Sequence, residues 1–315
     1  MITTIAAGLL LSALASPDSV CGVGDDRLRE MSGLVTIADG YVTVNDSTTK
    51  NKRRDIFFLD ADCEVERTVA YPSKPVDTED LAVAPDGTLW VADIGDNDAA
   101  RATVGLWRLA PGAEEPELFA MRYPDGAHDA ETLVLNGDGT PIIVTKDKAG
   151  ARVYTVDGAL ADGRLRAAGE LSIPVTTTSN PRGADGRLVL TGGTNSPDGA
   201  KVAIRTYADA FEYPVANGDV LAALTTGTPQ VTALPDEPQG ESIAYSRDGT
   251  YLLTVSEWSD DNEDPEILRY ASKLAPTPAA GSSLPVGSSL PAVPIAGGVI
   301  VLGLLGGWLL WRRFR

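Results

Sequence analysis

The chain has 315 residues, including 32 glycines and 21 prolines, and a formal net charge of −18. This length can bury one large core, and the glycine and proline content suits a turn-rich all-β protein. The negative charge argues against a nucleic-acid-binding protein and against docking on anionic lipid, and it favours cations, either metal ions or basic partners.

The first residues predict export. Residues 5–14 form a short apolar segment, and a small-residue cleavage site ends at Ala15, so residues 1–15 are interpreted as a signal peptide. The exported part then holds two cysteines, Cys21 and Cys63. Because an even number of cysteines in an oxidising compartment favours pairing, we expect a disulfide between the N-terminal segment and the first repeat.

One pattern then recurs five times: a polar residue, a short apolar strand, an Asp-Gly turn, a second strand and a polar ending. Asp-Gly between two β-rich runs is a strong hairpin signal, because glycine adopts positive φ without a steric penalty. The turns are Asp39-Gly40, Asp86-Gly87, Asp138-Gly139, Asp198-Gly199 and Asp248-Gly249. Successive turn aspartates lie 47, 52, 60 and 50 residues apart. A period near fifty residues, with several short strands in each unit, indicates a β-propeller.

The repeats predict five blades of four strands each. Residues 174–190 are extra between units three and four, and they leave open an insertion or the remnant of a sixth blade. Unit five enters a linker after Lys273 without a fourth strand. Because an open sheet edge is an aggregation template, we expect residues 26–29 to supply that strand and close the ring.

The C-terminal part predicts a membrane anchor. Residues 274–291 are rich in proline, serine and glycine and read as an extended linker. Residues 292–311 are apolar for long enough to span a bilayer, and the arginines of the tail, residues 312–315, favour a cytoplasmic end. The sequence therefore predicts a single-pass protein of the cell membrane, with an extracellular propeller over residues 22–273.

Polar residues recur at equivalent places in the units. Seven residues before each turn aspartate stand Ser32, Glu79, Glu131, Thr191 and Glu241. Since the first strand of each blade lines the channel of a propeller, these residues are expected to ring one mouth. Further polar residues at the strand ends are expected to line the channel: Glu30, Asp46, Lys146, Arg205 and Glu257. Carboxylates gathered near an axis repel one another, so they need a cation or a raised pKa.

These carboxylates suggest a calcium site, because calcium takes six to eight oxygen ligands. The candidate metal ligands are Glu79, Asp93, Asp96, Asn97, Glu131 and Glu241. Asp93, Asp96 and Asn97 surround Gly95 in a composition that suits a calcium loop, although not with EF-hand spacing. Two alternatives stay open: the loop is a self-capping turn, and each glutamate accepts backbone N–H groups within its own blade.

Several catalytic classes are excluded by the sequence. His128 is the single histidine, so a His-rich zinc site and a two-histidine relay are impossible. The chain holds no Gly-x-Ser-x-Gly elbow, P-loop or Gly-x-Gly-x-x-Gly fingerprint. His128 lies three residues before Glu131 and is a weak candidate for a catalytic base.

Four short segments carry a family resemblance: Glu-Met-Ser-Gly-Leu (30–34), Thr-Glu-Asp-Leu-Ala (78–82), Asp-Ile-Gly-Asp-Asn (93–97) and Gly-Glu-Ser-Ile-Ala (240–244). Together they resemble the exported actinobacterial propellers related to phytase-like and esterase-like proteins. The resemblance covers roughly residues 25–273 and implies a propeller with a metal in or near its channel.

Two functions fit these observations. As a binding module, the propeller would present its loops to a cell-envelope ligand or protein, and the acidic residues would hold the blades or a calcium ion. As a hydrolase, a bound metal would activate water against an ester or phosphoester, with Glu79, Glu131 and Glu241 as ligands or base.

Overall fold

The protein is an all-β propeller of five blades. The computed structural model describes residues 17–46, 50–148, 150–257 and 264–275, and within them twenty strands form five antiparallel sheets of four strands. The N-terminal strand is β1 (Asp18–Gly22). Blade one is β2 (Met31–Ile37), β3 (Gly40–Asn45), β4 (Asp55–Asp60) and β5 (Val65–Ala70). Blade two is β6 (Asp80–Val83), β7 (Leu89–Asp93), β8 (Val104–Leu109) and β9 (Glu117–Met121).

The remaining blades repeat this meander. Blade three is β10 (Ala130–Leu135), β11 (Pro141–Thr145), β12 (Ala151–Val156) and β13 (Leu165–Leu171). Blade four is β14 (Leu190–Asn195), β15 (Lys201–Thr206), β16 (Asp209–Pro214) and β17 (Gln230–Ala233), with the helix α1 (Val220–Thr226) before its last strand. Blade five contains β18 (Gly240–Tyr245), β19 (Tyr251–Ser256) and β20 (Glu266–Ala271).

The first strand of every blade faces the axis. β2, β6, β10, β14 and β18 contact one another around the ring and enclose the channel. Apolar side chains of neighbouring sheets pack into five clusters, one at each junction between blades. The Asp-Gly turns join the first and second strands and therefore lie at the mouth opposite the starts of the inner strands.

The ring is closed by the N-terminal strand β1, which begins before residue 22, the predicted start of the propeller. β1 pairs antiparallel with β20 as the outer strand of blade five, with Asp18 opposite Arg269. The expectation that residues 26–29 supply this strand is wrong, because that segment is a turn in which Leu28 is buried and Arg27 pairs with Asp25.

The predicted disulfide is confirmed. Cys21 in β1 is bonded to Cys63 in the turn after β4, with the two Cα atoms 5.9 Å apart. The bond therefore links the closing strand of blade five to blade one.

The extra residues between units three and four form an insertion rather than a sixth blade. Residues 172–189 are all described and contain no strand, only a single 3-10 turn, Asp185–Arg187. We call residues 172–189 the blade-four insert. Its threonine hydroxyls, on Thr176 and Thr178, donate to the buried carboxylate of Asp209 at the start of β16.

The predicted signal peptide, residues 1–15, and the predicted membrane span, residues 292–311, lie outside the described residues. Within the described ranges, no helix has the length and apolar character needed to cross a bilayer.

Candidate metal centre

Near the start of the inner strands, one residue is left out of the regular strand pairing. The strand register shifts by one residue at Ser32, Glu131, Thr191 and Glu241, so each is a β-bulge at the same mouth of the channel. In blade two, Glu79 donates its N–H to the carbonyl of Ala92 at 2.8 Å, although Ala92 is registered with the next residue. These five residues therefore occupy equivalent places in their blades.

Three carboxylates converge at this mouth. Oxygen atoms of Asp46, Asp77 and Glu79 all lie within 4.8 Å of one another. Glu79 is 3% exposed, whereas Asp46 and Asp77 are half-buried. We call these three residues the acidic triad. Three carboxylates this close repel, and a hard divalent cation with oxygen ligands would offset that repulsion.

Glu79 shows the electrostatic cost of this arrangement. Burial raises its pKa well above the ordinary value, and the negative charges of Glu131, Asp46 and Asp77 raise it further, while Lys146 lowers it. These influences stabilise the uncharged form, and a bound cation would oppose them.

Gly95 permits the close approach of two triad members. A Cβ atom on Gly95 would lie 2.1 Å from Oε1 of Glu79 and 2.5 Å from Oδ2 of Asp77. The backbone of Gly95 thus lies directly against the triad, with no side chain between them. The residues present fit a divalent cation, because oxygen ligands of three chain positions meet beside this glycine.

Asp93 positions the triad rather than joining it. Its carboxylate accepts the backbone N–H groups of Val76 at 3.0 Å and Asp77 at 2.9 Å. It also accepts the guanidinium of Arg101 at 2.9 Å and the indole N–H of Trp107 at 3.3 Å. These bonds fix the loop that presents Asp77, and they occupy the acceptor oxygens of Asp93.

Asp96 forms the self-capping turn that the sequence left open. Its two carboxylate oxygens accept the backbone N–H groups of Ala100 and Arg101, at 3.0 and 2.7 Å. Asn97 is exposed on the same turn. The structure therefore brings Glu79 into the triad and places Asp96 and Asn97 in the turn that follows it.

Glu131 and Glu241, the other two glutamates at the bulge positions, have different partners. Glu131 is buried and receives the ammonium of Lys146. Burial raises the pKa of Glu131 well above its usual value, against the opposing charge of Lys146. Oε1 of Glu241 accepts the hydroxyl of Tyr207 at 3.1 Å, and its Oε2 is buried with no hydrogen-bond partner among the described residues. This oxygen is an acceptor left available at the mouth.

Glu257 and Glu30, two further residues predicted to line the channel, have different partners. Glu257 is bonded to the side-chain amide of Gln239, and burial together with Glu241, Asp46 and Glu30 raises its pKa to about 8. Glu30 lies on the rim, with a carboxylate oxygen 3.5 Å from the guanidinium of Arg53.

Arg205 is fully buried between blades four and five. Its guanidinium pairs with Glu237 at 2.8 Å and donates to the carbonyl of Ser242 at 2.8 Å. Its charge is therefore matched by a carboxylate that the sequence analysis did not identify.

Asp80 is a second residue that sequence reasoning missed. It is fully buried in the channel and accepts the N–H groups of Leu81, Leu133 and Gly193, at 2.8, 2.8 and 3.0 Å. Burial raises its pKa well above the ordinary value, although these three bonds lower it. Asp80 thus ties together the inner strands of blades two, three and four.

His128 lies in an aromatic cluster. Its Nε2 atom is 3.0 Å from Oδ1 of Asp125 and 2.9 Å from the hydroxyl of Tyr154, and its ring stacks on Tyr154. The edge of Tyr123 completes the cluster, with ring centroids 5.1 Å apart. These contacts give His128 a packed and hydrogen-bonded place beside blade three.

Comparisons with known proteins address the fold. No protein-family model matches the chain, and no curated protein matches it. Among solved structures it is similar to glutaminyl cyclase of Myxococcus xanthus, with 12% identity, a TM-score of 0.47, and coverage of 81% of this chain and 95% of that one. It is also similar to a gluconolactonase of Xanthomonas campestris, with 12% identity, a TM-score of 0.43, and coverage of 82% and 96%.

A third similar structure is the PQQ-bound aldose sugar dehydrogenase of Streptomyces coelicolor, with 10% identity, a TM-score of 0.42, and coverage of 80% and 96%. Similarity at this level concerns the fold alone and carries no argument about activity. The propeller that the sequence resemblance implies is confirmed by the strand topology, and the relation to phytase-like and esterase-like proteins stays a prediction.

Proposed function

We propose that the protein is a calcium-dependent hydrolase of ester or phosphoester bonds, exported and tethered to the cell membrane. The acidic triad carries this proposal, because three carboxylates within 4.8 Å of one another need a cation to be charged together. When bound, a divalent cation supplies Lewis-acid polarisation of the scissile group. Export and tethering rest on the sequence, and the disulfide is consistent with an oxidising compartment.

The residues around the triad have separate roles in this proposal. Glu241 takes the proton of the attacking water at Oε2, the oxygen without a partner among the described residues. The hydroxyl of Tyr207 fixes the other oxygen of Glu241 and so orients the base. Lys146 pairs with Glu131 and keeps positive charge at the mouth as negative charge develops on the substrate.

The test compares hydrolysis of p-nitrophenyl acetate and p-nitrophenyl phosphate by metal-stripped protein, with calcium added back. We expect turnover to need calcium, Glu79→Gln to lose both calcium binding and turnover, and Glu241→Gln to lose turnover by about a hundredfold while it still binds calcium. Glu114→Gln, an exposed position in the loop after β8, is the matched control. Calcium-independent rates, or full activity of Glu79→Gln, would refute the proposal.

One observation favours a second function, the binding of a cell-envelope ligand without chemistry. The opposite mouth holds a cavity of about 710 Å³. Its walls include the apolar side chains of Val35, Ile37, Leu135 and Tyr245. A cavity of this size and lining is typical of a small-molecule site. Calcium binding without turnover of either ester would favour this function.

A further inference from the structure

A second cavity lies at the same mouth as the acidic triad and has the opposite charge. It measures about 340 Å³, and its walls include Lys146, Lys148, Arg182, Asp185 and Tyr207. We call it the basic pocket. Arg182 and Asp185 belong to the blade-four insert, whereas Lys146 and Lys148 follow β11 of blade three. Three cations and one carboxylate thus line one pocket of a chain whose formal net charge is −18.

Arg182 is the cation best placed to bind a ligand. Its guanidinium lies over the ring of Tyr207, 4.2 Å from the centroid. In the described ranges this guanidinium forms no hydrogen bond and no ion pair. The ring holds the planar group in place and leaves its N–H donors directed elsewhere, an arrangement that suits two parallel bonds to an oxyanion.

The two lysines contribute further positive charge to the basic pocket. Lys148 pairs with Asp185 at 2.6 Å, and the two side chains are 56% and 66% exposed, so the pair is screened and weak. Lys146 pairs with Glu131, which belongs to the ring of bulge residues. Lys146 therefore connects the basic pocket to the acidic mouth.

The blade-four insert holds this wall in a defined conformation. The side chain of Asn180 accepts the N–H of Arg182 at 3.0 Å and donates to the carbonyl of Gly183 at 3.0 Å. A Cβ atom on Gly186 would lie 2.1 Å from Oδ1 of Asn180, so the loop is packed against itself. Asp236 donates its N–H to the carbonyl of Ser179 at 3.1 Å and anchors the loop to blade four.

The pocket and the proposed reaction site share a wall. Tyr207 supports Arg182 with its ring and donates its hydroxyl to Glu241. Arg182 is also near enough to lower the pKa of Glu241 and of Glu257, against the burial that raises both. A group bound in the pocket would therefore lie next to the proposed base, Glu241.

We propose that the basic pocket binds an oxyanion group, a phosphate or a carboxylate, of an anionic substrate. This inference rests on the proposed hydrolase function and adds a substrate class to it. The triad and its cation hold the scissile end, and Arg182 with Lys148 holds the negatively charged end. An acidic protein gains from such a subsite, because its overall field repels anionic substrates.

The test measures binding of inorganic phosphate, and separately of acetate, to the full chain by calorimetry. Metal is removed with a chelator and the ionic strength is kept constant, so that neither calcium phosphate nor screening contributes. We expect Arg182→Gln to weaken the binding about tenfold or more, since it removes a charge-assisted bond pair. Arg182→Lys keeps the positive charge but lacks the planar guanidinium, so its affinity should lie between those of the unaltered chain and Arg182→Gln. Arg166→Gln, exposed on β13 of blade three, is the matched control and should bind as the unaltered chain does.

The outcomes separate this inference from the proposed function. Glu79→Gln should lose the calcium response and keep oxyanion binding, because the triad is not part of the pocket. Binding of phosphate without binding of acetate would assign a phosphate-bearing substrate. Binding of acetate as strong as that of phosphate would assign a carboxylate-bearing substrate. The inference would be overturned if neither anion binds, or if Arg182→Gln binds as tightly as the unaltered chain. This holds even if calcium-dependent hydrolysis is found.

Discussion

At the scale of single residues, the acidic triad depends on a position that carries no side chain. Gly95 lies against both Glu79 and Asp77, at distances that leave no room for a methyl group. The sequence identified Gly95 as a turn residue, but its contact with the two carboxylates follows only from the fold.

Replacing Gly95 with Ala tests this dependence. The added Cβ should push Glu79 and Asp77 apart, abolish the calcium-induced rise in the melting midpoint, and lower the free energy of unfolding by about 1–3 kcal/mol through overpacking. Gly24→Ala is the control, because a Cβ there meets no atom within 4 Å. A calcium response that survives in Gly95→Ala would show that the cation binds elsewhere.

The carboxyls of the mouth also predict how stability varies with pH. The pKa of Glu257 is about 8 in the folded protein, and burial raises those of Glu79, Glu131 and Glu241 in the same direction. The folded state therefore holds protons that the unfolded state releases above its ordinary carboxyl pKa. For Glu257 this stabilisation is complete below about pH 4.5 and is lost as the pH rises through about 8, and the other three carboxyls act in the same direction.

For metal-stripped protein, we expect the free energy of unfolding to fall by a few kcal/mol, on the order of one per pKa unit, between pH 5 and pH 8. Denaturant titrations at several pH values measure this slope, and Glu257→Gln should flatten it. Calcium should restore stability most at the upper end of this pH range, where fewer protons compete for the carboxylates. A slope that is flat or rises with pH would contradict the assigned burial of these groups.

Sequence reasoning found part of the site because the repeat fixes equivalent positions. Glu79, Glu131 and Glu241 share a spacing from the turn, and that spacing reflects the shared bulge. Asp77 and Asp80 do not follow the spacing, since Asp77 lies on a loop and Asp80 acts across the channel. Asp93 and Asp96 have the composition of a metal loop, yet their oxygens are occupied by nearby N–H groups that a sequence does not reveal.

At the scale of elements, Asp-Gly turns located the inner hairpins, because a turn with positive φ at glycine joins the first two strands of blades two to five. In blade one the expectation of positive φ is wrong, since Gly40 is already the first residue of β3. The closing strand was harder to find. β1 is an outer strand with mostly exposed residues, so it lacks the alternation of apolar and polar residues that marks a half-buried strand. The need for closure was correctly predicted, and the residues that provide it were not.

Replacing both Cys21 and Cys63 with Ser tests how strongly closure depends on the disulfide. The bond joins residues 42 apart in sequence, and a loop of this length should contribute about 4 kcal/mol through chain entropy. We therefore expect the double variant to unfold at lower denaturant concentration, with β1 released first. An unchanged midpoint would show that the pairing of β1 with β20 holds the ring by itself.

At the scale of the whole molecule, the two mouths of the propeller differ in chemistry. One gathers the acidic triad and the basic pocket, and the other holds the larger, mostly apolar cavity. The end of the described chain lies at the second mouth, where Lys201 donates to the carbonyls of Gly249 and Leu274, at 2.6 and 3.0 Å.

The predicted tether is tested by fractionation. Full-length protein should sediment with membranes, whereas a chain ending at residue 275 should be recovered in the soluble fraction, because residues 292–311 are apolar. The shorter chain keeps Leu274 and so preserves its contact with Lys201. Equal recovery of both chains in the soluble fraction would remove the tether from the account.

The central claim is that the acidic triad binds a divalent cation, and calcium titration of the metal-stripped protein followed by thermal unfolding tests it most directly. Since calcium binds only the folded state, a hundredfold excess over Kd should add about 2.7 kcal/mol of stability and raise the melting midpoint by a few degrees. Glu79→Gln should lose most of this rise, and Glu114→Gln should keep it. An identical midpoint with and without millimolar calcium, together with no bound metal by elemental analysis, would contradict the claim.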